Sequence, residues 1–134
     1  RVGSAAARAA LEQGHTVSVL DRDALSHERL ELGLPTSWED AGGRFTIGEA
    51  LETESLIGAG IEQADVFVAA TGGDNTNLVV AQIAKRKFGV DRVVARVLDP
   101  ARAEWYEERG GLETICGTSR AIEMLKSTFA AGTA

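Results

Sequence analysis

The sequence predicts an α/β domain of the doubly wound kind, a parallel sheet with helices on both faces. Three observations carry that prediction. Short β-branched runs alternate with segments of helical apolar spacing along nearly the whole chain. The central runs are apolar on both faces, as strands covered from two sides must be. Glycines stand at the joints, where a helix has to stop before the next strand begins. Strand, helix, strand, repeated, closes through right-handed crossovers, and the result is a parallel sheet.

Taken in order, the chain opens on Arg1-Val2-Gly3 and an alanine-rich segment, 4–13, in which Ala7, Ala10 and Leu11 share a helical face. Strands are predicted at 16–20 (TVSVL), 44–47 (RFTI), 66–70 (VFVAA), 93–97 (VVARV) and 114–116 (TIC). Val80, Ile83 and Ala84 place 77–88 in a helix, and Ile122, Leu125 and Phe129 do the same for 118–129. Gly14, Gly33, Gly60, Gly89 and Gly110 are expected as the left-handed residues that end helices. The stretch 31–43, with Pro35 and Gly42-Gly43, is the one long irregular connection. Five strands are visible and a sixth is expected ahead of Arg1, so the chain reads as a single domain, 1–134, lacking its first strand.

Composition sets outer bounds. The chain has 134 residues, 44% of them apolar, enough for one hydrophobic core. No run approaches the roughly 18 apolar residues of a membrane span, and the start has no basic-then-apolar leader pattern. The lone Cys116 has no internal disulfide partner, which fits a reducing compartment and a small buried side chain; a cytoplasmic location is expected. The formal charge is −6 with no Lys/Arg block, which argues against a nucleic-acid partner or an anionic membrane surface. A small anionic ligand stays open, because backbone N–H groups and one or two arginines suffice to hold it.

The opening residues point to such a ligand. In a G-x-G-x-x-G turn, glycines let the backbone approach a pyrophosphate while a helix N-terminus faces it, and Gly3 fits the third of them. Strand 16–20 then ends at Asp21, eighteen residues past Gly3. An acid at that tip can accept both hydrogen bonds of a ribose diol and repels a 2′-phosphate. Asp21 therefore favours NAD(H), or another adenosine nucleotide, over NADP(H); the adjacent Arg22 could instead take a 2′-phosphate.

Beyond this turn, Gly48-Glu49-Ala50, Ala64-Asp65, the run Thr71-Gly72-Gly73-Asp74-Asn75-Thr76-Asn77 and the run Val94-Ala95-Arg96-Val97-Leu98-Asp99-Pro100 together resemble one family. The chain is similar over its whole length to the TrkA N-terminal, or RCK/KTN, domain, a Rossmann-like cytoplasmic nucleotide-binding regulator of bacterial potassium uptake systems. The resemblance implies that Arg1, Val2 and Gly3 belong to the phosphate loop and that Asp21 holds the adenosine ribose. Glu49 and Ala50 would border the adenine, although many relatives have Asp where Glu49 stands. Thr71 and Gly72 would lie beside the ligand and Arg96 would face the phosphates, in keeping with strand carboxyl ends and guanidinium–phosphate pairing. Asp74 and Asn77 read first as caps of helix 77–88. NAD(H) is the first ligand implied, with ADP or ATP next. No metal site is expected, because Gly117-Thr118-Ser119 stands where triphosphate-binding relatives carry an acid.

The resemblance further implies that 117–130 is a crossover helix for a homodimer or larger assembly. It implies a membrane potassium-translocating subunit as partner, with a paired TrkA-like regulator as an additional candidate, and a place at the inner face of the cell membrane. No C-terminal ligand domain is recognised within 1–134. No catalytic residue is nominated: His15 and His27 fall away from strand ends, and Tyr106 has Gly110 four residues on where a Tyr/Lys pair would need lysine. The expected function is a non-enzymatic, ligand-dependent switch. The alternatives are the nucleotide-binding fragment of an NAD-dependent dehydrogenase, and a degenerate module that serves only as a subunit interface.

Overall fold

The structure, a computed structural model, describes residues 2–132. Among the described residues six helices and five strands alternate: α1 (Val2–Glu12), β1 (Ser18–Asp21), α2 (Ser26–Glu31), β2 (Arg44–Ile47), α3 (Thr53–Ala59), β3 (Val66–Ala69), α4 (Asp74–Arg86), β4 (Arg92–Arg96), α5 (Pro100–Glu108), β5 (Glu113–Ile115) and α6 (Gly117–Gly132). A short 3-10 turn, Ile61–Gln63, precedes β3. Every strand pairing is parallel, as the alternation of elements requires. The chain divides into two compact units, one ending at Asp65 and the other beginning at Val66.

In the first unit β1 pairs with β2, in register from Ser18 opposite Arg44 to Asp21 opposite Ile47. Ala7 of α1, Leu30 of α2 and Trp38 form the core, with Leu11, Val17, Val19, Leu34 and Phe45 packed around them. The irregular connection is thus not a passive loop. It delivers Trp38, which is fully buried and donates from Nε1 to the Arg44 carbonyl at 2.9 Å. The indole lies against the backbone of Gly43, where a Cβ would come within 2.1 Å of Trp38 Cε2. Only glycine fits there, for steric reasons and not because of its φ angle.

In the second unit the strand order is β3-β4-β5. Val93, Val94 and Ala95 of β4 are buried in succession, the pattern of a strand covered on both faces. The same was expected of β3, but Val66 and Val68 are 55% and 52% exposed. The reason is positional: β3 is the edge of its sheet, with β4 as its one partner among the described residues. Helix α4 buries Leu78, Val80, Ala81 and Ala84 together with Asn77. Helix α5 starts at Pro100 behind an Asp99 cap, whose carboxylate accepts from Ala101 N at 3.1 Å.

Gly14, Gly33, Gly60 and Gly89 are left-handed as expected, but after α5 the role passes from Gly110 to Gly111, with φ of 67°. At Gly110 a Cβ would sit 3.0 Å from Tyr106 Cα, so that residue is small because the chain folds back on α5. Helix α6 leaves Ile122, Met124, Leu125 and Phe129 exposed. Among the described residues no helix is long and apolar enough to cross a membrane.

Candidate functional site

Apart from Arg1, Val2 and Gly3, the residues singled out from the sequence fall into two sets, each at the carboxyl ends of the strands of its own parallel sheet. Arg1 lies outside the described residues. Val2 and Gly3 form the first turn of α1 instead of a loop before it.

At the end of β1, Asp21 is half-buried and its carboxylate is held from two sides. Oδ1 accepts from Asp23 N and Oδ2 from the hydroxyl of buried Ser26, both at 2.8 Å. Asp23 in turn accepts from Leu25 N at 3.0 Å, so the turn into α2 is a chain of side-chain-to-backbone bonds. Each Asp21 oxygen keeps acceptor capacity for a further donor. Arg22 beside it is exposed. The end of β2 is tied in by Gly48 N, which donates to the Asp21 carbonyl at 3.1 Å. A Cβ on Gly48 would come within 2.6 Å of Ser55 Oγ, so glycine lets α3 approach the strand end. Glu49 follows, exposed, and Ala50, half-buried.

At the ends of β3 and β4 the organising residue is Asn77. It is buried, and its Oδ1 accepts from Thr71 N at 2.9 Å and Thr71 Oγ1 at 2.6 Å. Its Nδ2 donates to the carbonyls of Thr71 at 3.1 Å and Arg96 at 2.9 Å. Thr71 and Arg96, both nominated from the sequence, are therefore fixed by one amide. Gly72, between Thr71 and the start of α4, is exposed, with nothing within 4 Å of a would-be Cβ. Asp74 accepts from Leu98 N at 2.8 Å and Asp99 N at 3.1 Å, and Arg102 donates to Asn75 Oδ1 at 2.6 Å. Asp74 and Asn77 are thus structural, but they are not caps: α4 begins earlier than expected, behind Gly73, and both side chains bridge to neighbouring loops. Buried Cys116 completes the edge, donating to the Leu98 carbonyl at 3.6 Å and accepting from Ser119 N at 3.4 Å.

One cluster was not anticipated. His27 Nε2 lies 2.6 Å and 2.8 Å from the two oxygens of Glu39, and Nδ1 lies 3.8 Å from Glu31. The hydrogen bond to Glu39 holds the imidazole pKa above its ordinary value against some desolvation, and the charges of Glu39, Glu31 and Glu28 act in the same direction. The i, i+4 spacing of His27 and Glu31 is legible in the sequence; the arrival of Glu39 is not.

The sequence matches the family model of the TrkA-N domain over residues 1–118. This chain belongs to the TrkA-N domain family. It is 42% identical over 133 residues to the Trk system potassium uptake protein TrkA of Streptomyces coelicolor, covering 98% of this chain and 56% of that protein. It therefore spans about half the length of the curated relatives it matches. Among solved structures, the TrkA-N domain of inner membrane protein ybaL from Escherichia coli superposes with a TM-score of 0.77 at 17% identity, covering 96% of this chain and 89% of that one. The AMP-bound Kef CTD of Shewanella denitrificans gives 0.72 at 21% identity, covering 98% and 77%. At those identities the two structures speak for a shared Rossmann-like fold in this TrkA-N chain.

Proposed function

We propose that this chain is the nucleotide-binding regulatory part of a potassium uptake system, a ligand-dependent switch and not an enzyme. The observation that carries the reading is the 42% identity to a Trk potassium uptake protein across nearly the whole chain. The ligand is an adenine nucleotide, NAD(H) first and ADP or ATP next. Asp21 supports this choice: its carboxylate is held by Asp23 N and Ser26 Oγ and retains capacity for the two ribose hydroxyls. Glu49 and Ala50 border the base, Val2, Gly3 and Arg96 serve the phosphates with Arg1, and Thr71 and Gly72 lie beside the ligand. Arg22 is the residue that would admit a 2′-phosphate.

In this reading the chain acts as a homodimer or larger RCK assembly through the exposed apolar stripe of α6, against a membrane potassium-translocating subunit at the cytoplasmic face. Such a switch works only if nucleotide binds two arrangements of the assembly unequally.

The test is calorimetric titration of NADH, NADPH, ADP and ATP into this chain and into a longer version carrying a G-x-G strand upstream. Binding of the nucleotides without a 2′-phosphate, lost in Asp21→Ala, is the expected result. Failure of every nucleotide to bind the longer version, or equal binding by Asp21→Ala, would remove the basis for the proposal.

A further inference from the structure

We propose that His27, Glu31 and Glu39 form a binding site for a divalent transition-metal ion of the zinc type, in the first unit and independent of any nucleotide. One nitrogen of the imidazole and one oxygen from each carboxylate lie within 4.8 Å of one another. Around an ion with ligands at about 2.1 Å, tetrahedral neighbours stand roughly 3.4 Å apart; Glu39 faces Nε2 and Glu31 faces Nδ1, so besides closing up, one carboxylate has to swing round the ring to share a nitrogen with the other. Glu39 is 51% exposed at its side chain and free to make that movement.

The backbone that carries the three side chains is anchored in the core. His27 and Glu31 stand one turn apart on α2, on either side of fully buried Leu30 in the sequence. Glu39 directly follows Trp38, also fully buried, whose backbone N–H donates to Glu31 Oε2 at 2.6 Å. That bond orients one oxygen of Glu31 and leaves the other toward His27. The ring of His27 packs edge-on to Phe45, with centroids 5.3 Å apart. The donors are therefore presented from residues that adjoin fully buried ones in the sequence, which limits the movement of the backbone that carries them.

Donor chemistry selects the ion. A neutral imidazole with two carboxylates balances a +2 charge, and nitrogen with oxygen suits zinc, nickel or cobalt, where magnesium and calcium prefer an all-oxygen shell. Three protein ligands leave a fourth position for water.

The test uses zinc chloride alone, titrated calorimetrically into the 134-residue chain, with magnesium chloride in parallel. One zinc per chain is expected and no magnesium binding. His27→Gln and Glu39→Gln should each weaken zinc binding by about tenfold or more, while His15→Gln and Cys116→Ser leave it unchanged. Cobalt(II) should give a visible absorption band that Glu39→Gln abolishes. Glu39→Gln keeps the test decisive should His27→Gln unfold, because Glu39 lies on the surface. Absence of a one-to-one site, binding that survives Glu39→Gln, or binding lost through His15 or Cys116 would overturn the proposal. None of these results depends on whether nucleotide binds.

Discussion

Replacing Asn77 with alanine removes the amide that fastens Thr71 to the end of β4, and the cost can be worked from its contacts. The side chain makes four hydrogen bonds, two accepted from Thr71 and two donated, to Thr71 O and Arg96 O. At about 1 kcal/mol net for a neutral bond, four set a ceiling near 4 kcal/mol. Thr71 is exposed and water can replace some of its partners, whereas Arg96 is half-buried. A loss of about 3 kcal/mol follows. With a urea slope of about 2 kcal/mol/M, the midpoint should fall by roughly 1.5 M at an unchanged slope. Trp105 of α5 belongs to the same unit and reports the transition by fluorescence, with circular dichroism as the second probe. Asn77→Asp separates the two halves of the network: it keeps the acceptors but turns a carboxylate toward two carbonyls, and it should be at least as damaging as alanine. A loss below about 0.5 kcal/mol for Asn77→Ala, or wild-type stability for Asn77→Asp, would refute the account of this amide as the fastening of the two loops.

Gly43→Ala should lower stability by about 3 kcal/mol, read from thermal or urea unfolding followed by Trp38 fluorescence, because its Cβ would overlap a fully buried indole. Ser26→Ala should cost about 1.5 kcal/mol by removing a hydroxyl bond to a carboxylate, and should also weaken any ribose contact by Asp21, which calorimetry would detect. For pH, Arg92 donates to both oxygens of Glu113, at 3.1 Å and 2.7 Å, and lowers its pKa from 4.5. A carboxyl whose folded pKa is depressed stabilises the fold above its unfolded value and loses that contribution as pH falls through the folded one. The small difference in urea midpoint between wild type and Glu113→Gln at neutral pH should therefore vanish in acid.

The elements most legible in the sequence were those governed by local rules. Helical spacing and glycine joints gave α1, α4 and α6 to within a few residues, and β2 was placed without error. Asp21 follows from the strand pattern and its spacing from Gly3, whereas Arg96 at the end of β4 and Thr71 just past the end of β3 came from the family resemblance. Contacts between distant segments were not legible. Trp38 sits in a stretch with no periodicity, so nothing local marks it as core, and its burial follows from packing against Ala7 and Leu30. Asn77 did carry a signal: it stands four and seven residues before Ala81 and Ala84 on the buried face of α4, a polar residue where the period calls for an apolar one. The exposure of Val66 and Val68 depends on strand order, which no single strand encodes.

The register of the sheets bears on how the chain finds its fold. Ser18 meets Arg44 and Val66 meets Arg92, so in both cases the partners are about 26 residues apart, and β5 joins β4 across a still shorter crossover. Each of these strand pairs can then form once a single intervening segment has folded back, α4 or α5 in the second unit and α2 with its irregular connection in the first, with no wait for a remote part of the chain. Parallel sheets are ordinarily slow because their contacts are long in sequence; here each pairing is as local as a crossover permits, which favours early, separate assembly of the two sheets.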